Sequence, residues 1–331
     1  MKQTLIALGA AIVVGLGIYV WAHQPAPAPN TPIKIGVIVP LTDAFAQYGE
    51  EVRKGIFAAA GSSNVEFIFE DEKCDAKTAI SAFQKLTSVD GVKFIIGPGC
   101  GSPQEAVVPL LQSAGVVAVV PSAASKDLYA KSGGYFFNIQ YSLEDESKFV
   151  AAQMYAKGYK KVALVTYANS FSDTHAKSFR ANFAGMIVVD TRILDGNTDL
   201  LPVLTKIKAA GVDAIYAPDI SFFFAGATAK MQQLKMTTPV WSTYVAELPG
   251  VRPLVEGVTY SFPANIKGSE GAVYGLAKLA AETLAPLAVE CKNDVACVKQ
   301  KLESSNKFVE GVYKSEIILK KIESGSAIKL Q

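Results

Sequence analysis

From residue 33 onward the chain alternates short apolar runs with stretches of helical period. The run Ile33-Lys34-Ile35-Gly36-Val37-Ile38-Val39 is apolar nearly throughout, the pattern of a parallel strand buried on both faces. Residues 47–60 then place Val52, Ile56 and Ala59 on one helical face. Strands are predicted over 65–69, 94–96 and 116–120, with helices over 76–88 and 103–113 between them. The rhythm restarts after Tyr135-Phe136-Phe137-Asn138. Helices over 143–157, 172–183, 200–210 and 223–234 alternate with strands over 161–166, 186–193, 214–217 and 240–242, and 258–262 closes the series. Strands separated by helices of about ten to fifteen residues build βαβ units on a parallel sheet. Two such series predict an α/β protein of two similar, Rossmann-like lobes, alike in architecture without a sequence repeat.

The tail breaks the rhythm. It predicts a long helix over 269–287, another over 294–303, and a hairpin of 315–322 and 327–330 around Glu323-Ser324-Gly325-Ser326. A chain that builds one lobe, then a second, then returns must cross between them several times. The expected division is 33–138 with 263–308 in lobe one, and 139–262 with 309–331 in lobe two, joined by a multi-crossing hinge. A ligand of such sheets sits at the carboxyl ends of the strands, here between the lobes.

The first 32 residues read as a targeting segment and a linker. Lys2 precedes 19 uncharged residues, 4–22, enough for a helix across ~30 Å of hydrocarbon. That length favours an uncleaved anchor; Val20 and Ala22 keep a cleaved signal as the alternative. Gln24-Pro25-Ala26-Pro27-Ala28-Pro29-Asn30-Thr31-Pro32 is a stiff, extended spacer. The expected location is the periplasm or the outer face of the cytoplasmic membrane.

Half the residues are hydrophobic, and 32 basic residues nearly cancel 30 acidic ones. A net charge of +2 provides no field for nucleic acid, and no basic patch is interleaved with aromatics. Cys74 and Cys100 lie 26 apart and Cys291 and Cys297 lie 6 apart, neither pair at zinc-site spacing. In an oxidising compartment this suggests disulfides 74–100 and 291–297.

Catalytic signatures are missing. The two histidines are His23, in the linker, and His175, read as a surface residue on a helix. HExxH, GxSxG and GxxxxGK[ST] do not occur, and Gly97-Pro98-Gly99-Cys100-Gly101-Ser102 lacks the third glycine of a dinucleotide loop. Glu50-Glu51 and Asp71-Glu72 read as solvated faces or loop ends. No metal, cofactor or enzymatic activity is expected. What remains is a set of strand-end loops rich in small polar groups. Ser102-Pro103-Gln104-Glu105 has the form of a capping box with proline at N1. Its free N–H groups also suit an anion such as a carboxylate, so Ser102 either caps its helix or helps hold a ligand. Pro121-Ser122-Ala123-Ala124-Ser125 is a second turn of this kind or a plain tight turn. Tyr48 walls the cleft or packs, Phe171 starts a second-lobe helix, and of Phe222-Phe223-Phe224 at least one ring must face the cleft or hinge.

Several of these segments together resemble the leucine/isoleucine/valine-binding protein family, type I periplasmic solute-binding proteins that deliver ligand to ABC permeases. The resemblance runs from residue 33 to about 302. Lobe one carries it in Ile35-Gly36-Val37, Pro40-Leu41-Thr42, Ala46-Gln47-Tyr48-Gly49, Asp71, Cys74-Asp75, Gly91-Val92, Ile95-Ile96-Gly97, Cys100, Ser102 and Pro121-Ser122-Ala123. Lobe two adds Thr198-Asp199-Leu200, Leu204, Ile207-Lys208 and Asp213-Ala214-Ile215-Tyr216. It implies the type I periplasmic binding protein fold, the 74–100 disulfide and a clamp that closes on its ligand. It implies that Ser102 binds a ligand carboxylate, helped by Ser122, Ala123 and Ala124, and that Tyr48, Phe171 and Ser221 or Phe222 line the cleft. The acid that pairs a ligand ammonium should fall near Tyr244, where it is missing. Either Glu247, three residues on, takes the role, or the ligand is an organic acid without an ammonium group.

The expected function is extracytoplasmic capture of a branched-chain amino acid or related organic acid for the membrane subunits of an ABC permease. The alternative is a membrane-tethered sensor that uses the same clamp.

Overall fold

The computed structural model describes residues 31–59, 64–194, 198–267 and 271–330, without the side chains of 220–225. The expected leader, residues 4–22, and most of the linker lie outside the described residues. Lobe one runs β1 (Ile33–Val39), α1 (Ala46–Ala59), β2 (Val65–Asp71), α2 (Ala76–Gln84), β3 (Phe94–Ile96), α3 (Gly101–Val107), β4 (Val117–Val120), α4 (Asp127–Lys131) and β5 (Phe136–Asn138). Lobe two runs α5 (Leu143–Ala156), β6 (Lys161–Tyr167), α6 (Ser170–Asn182), β7 (Met186–Ile193), α7 (Leu201–Ala210), β8 (Ala214–Tyr216), α8 (Ile220–Gln233), β9 (Val240–Ser242) and β10 (Thr259–Pro263). The chain then adds α9 (Ala272–Glu290), α10 (Val295–Ser304), β11 (Phe308–Val309) and β12 (Val312–Tyr313), and ends in the hairpin β13 (Ile317–Glu323) and β14 (Ser326–Lys329).

The two sheets share one strand order. The first is β11-β12-β5-β4-β3-β1-β2 and the second β14-β13-β10-β9-β8-β6-β7. Within each, the chain starts at an inner strand, pairs outward, then crosses back over its first strand to continue in the other direction. That reversal opens a crevice at the carboxyl ends of β1 and β3 in one lobe and of β6 and β8 in the other. The expected boundary at 308/309 moves: Val312 pairs with Asn138, so β12 belongs to the first sheet and the crossing falls between Tyr313 and Ile317. Two-residue strands leave no hydrophobic period from which to read this.

Alternation along each strand divides the core into two layers. On lobe one's strands Ile35, Val37, Phe94, Ile96, Val117 and Val119 pack with Val52 and Ile56 of α1 and Leu276, Ala280 and Leu284 of α9. Ile38, Ile95, Ala118 and Val120 face the other way, toward Ala79 and Phe83 of α2 and Val107 of α3. In lobe two, Val162, Leu164, Ala214 and Tyr216 meet α5 and α6 through Val150, Met154 and Phe179. Covering both faces this way accounts for the uninterrupted apolar runs. Among the described helices α9 is long and apolar enough to cross a membrane, but half of it is buried in this core.

Candidate functional site

A cleft opens where the carboxyl ends of both sheets meet, with a cavity of about 300 Å³. Loops after β1, β2, β3 and β4 form one wall and loops after β6, β7, β8 and β9 the other.

Lobe one's wall is built around the loop 97–102. Gly97 has φ +113°, and a Cβ there would meet the Ile38 carbonyl oxygen at 2.2 Å, so glycine is required. Cys100 is tied to Cys74 across a Cα separation of 5.3 Å. Beneath the loop the Glu72 carboxylate accepts the N–H groups of Gly99 (3.2 Å) and Cys100 (2.8 Å). Glu72 is fully buried, and that burial holds its carboxyl well above the usual range despite these two bonds. The Cys100 start leaves Ser102 inside the first turn of α3, not capping it. Its hydroxyl stands 3.4 Å from Ser170 Oγ across the cleft. The capping-box reading misplaced the helix start, because Glu72 and the disulfide fix Cys100 ahead of it. Gln104 donates to Ser122 Oγ (2.8 Å), which leaves the Ser122 proton for another acceptor. The Tyr48 hydroxyl is buried against this wall beside Ser122, and burial raises its pKa.

Lobe two's wall centres on Asn169 and Asp219. The Asn169 side chain caps α6 by accepting Ser172 N–H (2.8 Å), and its amide donates to Asp219 Oδ2 (2.8 Å). Phe171 and Leu194 add apolar surface, and Tyr244 reaches across to accept the Ala123 N–H at 3.4 Å. At the mouth, a Cβ on Gly101 would meet Ser170 Oγ at 2.7 Å and Phe171 N at 3.2 Å, so the lobes touch here backbone to backbone.

Of the expected ligand residues, Tyr48, Ser102, Ser122, Ala123, Phe171 and Tyr244 line the cavity together. The side chains of Ser221 and Phe222 lie outside the described residues. Ala124 does not line it; it packs into lobe one's outer core layer, and its carbonyl accepts Leu143 N–H. Glu247 does not line it either. Its Oε1 accepts from Tyr260 (2.6 Å) and Lys320 (2.9 Å), groups 13 and 73 residues away that the local sequence does not reveal. Sequence reading passed over Asp219, Asn169, Ser170 and Tyr167. The available signal was their position at or just past the ends of β6 and β8, the switch-point strands of lobe two. Glu72, Cys74 and Cys100 cluster as metal ligands do, but both sulfurs are in the disulfide and the carboxylate holds two N–H groups.

Three polar residues read as exposed are buried: Glu51, which Lys54 meets at 2.8 Å, Glu72, described above, and His175. His175 lies below the cleft wall, its ring 4.5 Å from that of Phe171. Its Nδ1 meets Ser147 Oγ (2.6 Å) and the Tyr216 hydroxyl (3.1 Å), and its Nε2 faces Glu146 Oε2 at 3.4 Å. The other Glu146 oxygen accepts from Ser261 (2.5 Å) and Tyr141 (3.1 Å). Burial pushes the Glu146 carboxyl up to about 8 and the imidazole down to about 3. Between these values the carboxyl keeps its proton and the imidazole stays uncharged, so the buried pair carries no net charge.

A family model described as periplasmic binding protein matches residues 32–265. The Leu/Ile/Val-binding protein BraC3 of Rhizobium johnstonii is 31% identical over 228 residues, 65% of this chain and 60% of that protein. The chain spans between half and three fifths of the length of the curated relatives it matches. Among solved structures, the leucine-binding protein LivK of Thermotoga maritima superposes with a TM-score of 0.83 at 18% identity, covering 90% of this chain and 98% of that one. A solute-binding protein of an ABC transporter from Rhodopseudomonas palustris, in complex with p-hydroxybenzoic acid, gives 0.78 at 19% identity over 91% and 96%. At these identities the structural likeness establishes the fold.

Proposed function

The chain belongs to the periplasmic binding protein family, and from that premise we propose that it captures a small carboxylate-bearing solute outside the cytoplasm. The solute is a branched-chain amino acid or a related organic acid, which the protein presents to the membrane subunits of an ABC importer. The family is one of solute-binding proteins, and bond making plays no part in the proposal. One observation carries it: strand-end loops of both lobes enclose a single cavity of about 300 Å³, at the small end of ligand clefts. Ser102 and Ser122 offer hydroxyl protons to a carboxylate, while Phe45, Tyr48, Phe171, Leu194 and Leu248 supply a wall for an apolar group. Relatives named for leucine, isoleucine and valine, and a structural neighbour holding p-hydroxybenzoic acid, fit a solute of this size.

A thermal-shift screen of the purified protein against amino acids and small aromatic acids tests the proposal. A true ligand at a hundred times its Kd adds about 2.7 kcal/mol of stability. Ser102→Ala should then weaken binding at least tenfold, the loss of one charge-assisted hydrogen bond of about 1.5–3 kcal/mol. A screen without hits, or an unaffected Ser102→Ala variant, counts against carboxylate capture at this cleft.

A further inference from the structure

We infer that Gln104, a residue behind the cleft wall, holds the Ser122 hydroxyl as a donor, so that lobe one's wall accepts a carboxylate and turns away the matching carboxamide; the inference rests on the capture reading above. Gln104 does not line the cavity. It lies on α3, where its backbone N–H donates to the Cys100 carbonyl (3.0 Å). Its side chain is buried between the loops that follow β3 and β4. The amide nitrogen stands 3.1 Å from the Pro98 carbonyl oxygen and 2.8 Å from Ser122 Oγ. A carbonyl oxygen only accepts, so the group facing Pro98 is the NH2 and not the amide oxygen. That contact settles which way the amide is turned. The NH2 has two hydrogens and no lone pair to offer, so its second hydrogen goes to Ser122. Ser122 therefore accepts from behind, and its own proton points forward.

Two routes lie in front of that proton: the cavity, which Ser122 lines, and the Tyr48 hydroxyl beside it. Both have the same result. A proton given to Tyr48 leaves the phenol's own proton for the cavity, because a hydroxyl that accepts one bond still donates one. The wall ends in a donor by either route, and the direction is set by a group that cannot reverse it. The mouth of the cleft differs: between Ser102 and Ser170 either oxygen can serve as donor. A carboxylate brings lone pairs on both oxygens and matches the Ser122 side of the wall. A carboxamide of the same shape sets its NH2 against a donor, and a buried donor without an acceptor is costly. Selectivity then depends on a residue the solute never touches, which makes Gln104 a positioning residue acting through Ser122.

The test pairs acids with their carboxamides: leucine with leucinamide, benzoate with benzamide, and p-hydroxybenzoate with p-hydroxybenzamide, each titrated calorimetrically. The wild-type protein should bind at least one acid tenfold or more tightly than its amide. Gln104→Met keeps the length and neutrality of the side chain but has no donor, so Ser122 is free to turn. It should lower the acid-to-amide ratio at least threefold while the amide's own affinity stays within threefold of wild type. Gln104→Glu puts an acceptor behind Ser122, draws the hydroxyl proton backward and should lower the ratio further. Ser122→Ala, which removes the hydroxyl that Gln104 directs, should lower it as far as Gln104→Met, and it decides the matter if the Gln104 variants do not fold. A purely structural role for Gln104 would weaken acid and amide in equal proportion. That result, an unchanged ratio in Gln104→Met or Ser122→Ala, or equal binding of every acid and its amide by the wild-type protein overturns the inference and leaves carboxylate capture standing. Failure of every acid to bind the wild-type protein overturns both.

Discussion

Replacing Glu146 with glutamine should change how stability depends on pH. Folded, Glu146 and His175 keep one proton between the carboxyl's upper value of about 8 and the imidazole's lower value of about 3. Unfolded, the two groups titrate near about 4.3 and 6.5. Between those unfolded values both states hold one proton, and the pair leaves stability flat. As pH rises above about 6.5, the unfolded histidine loses its proton while the folded pair keeps its own, so unfolding releases a proton and stability falls until about 8. At about 1.4 kcal/mol per pH unit this window costs roughly 2 kcal/mol. Below about 4.3 the unfolded glutamate takes up a second proton that the fold refuses until about 3, and stability falls again by a similar amount. Glu146→Gln retains an acceptor for Ser261 and Tyr141 and gives His175 Nε2 an amide donor. The variant should lose the alkaline decline, and its acid decline should begin near about 6.5, where the unfolded histidine alone now titrates. Urea denaturation of both proteins from pH 4 to 9, compared as a difference curve, measures this. Parallel curves across pH 6.5–8 would refute the proton held on the Glu146 carboxyl.

Other expectations follow from single contacts. Gly101→Ala places a methyl 2.7 Å from Ser170 Oγ and should weaken ligand binding at least tenfold, about 1.4 kcal/mol, with little change in unfolding midpoint. Glu72→Gln turns an amide toward one of the two N–H groups it now accepts; a loss of about 1–3 kcal/mol in urea, with weaker ligand binding, is expected. Cys74→Ser opens a 26-residue loop and should lower stability by roughly 3–4 kcal/mol in the same assay.

Much of this architecture is legible in one sequence because hydrophobic period is a local property. The strands at 94–96, 186–193 and 240–242 and the helix pairing of the tail follow from runs within a few residues. Both disulfides follow from cysteine spacing and an oxidising location. The cleft residues of lobe one follow from lying just past strand ends. What escapes local reading is burial created by distant partners. Glu72 looks solvated beside Asp71 and Lys73 until Gly99 and Cys100 return to it. His175 stands among polar neighbours, yet its ring meets groups from α5, β8 and, through Glu146, β10. Asp219 was missed for a related reason. Attention to the end of β9 follows one expected location for an acid, whereas geometry makes the end of β8 an equal neighbour of the cleft.

The order in which the chain completes its sheets has a consequence for its birth. Lobe one lacks its covering helix α9 and the edge pair β11–β12, and lobe two lacks β13 and β14, until the segment from Ala272 onward has been made. A ribosome that has finished more than four fifths of the polypeptide has therefore produced two open half-structures with apolar faces still uncovered. Both cores mature in the last moments of synthesis, and a truncation near residue 265 would leave neither half able to finish.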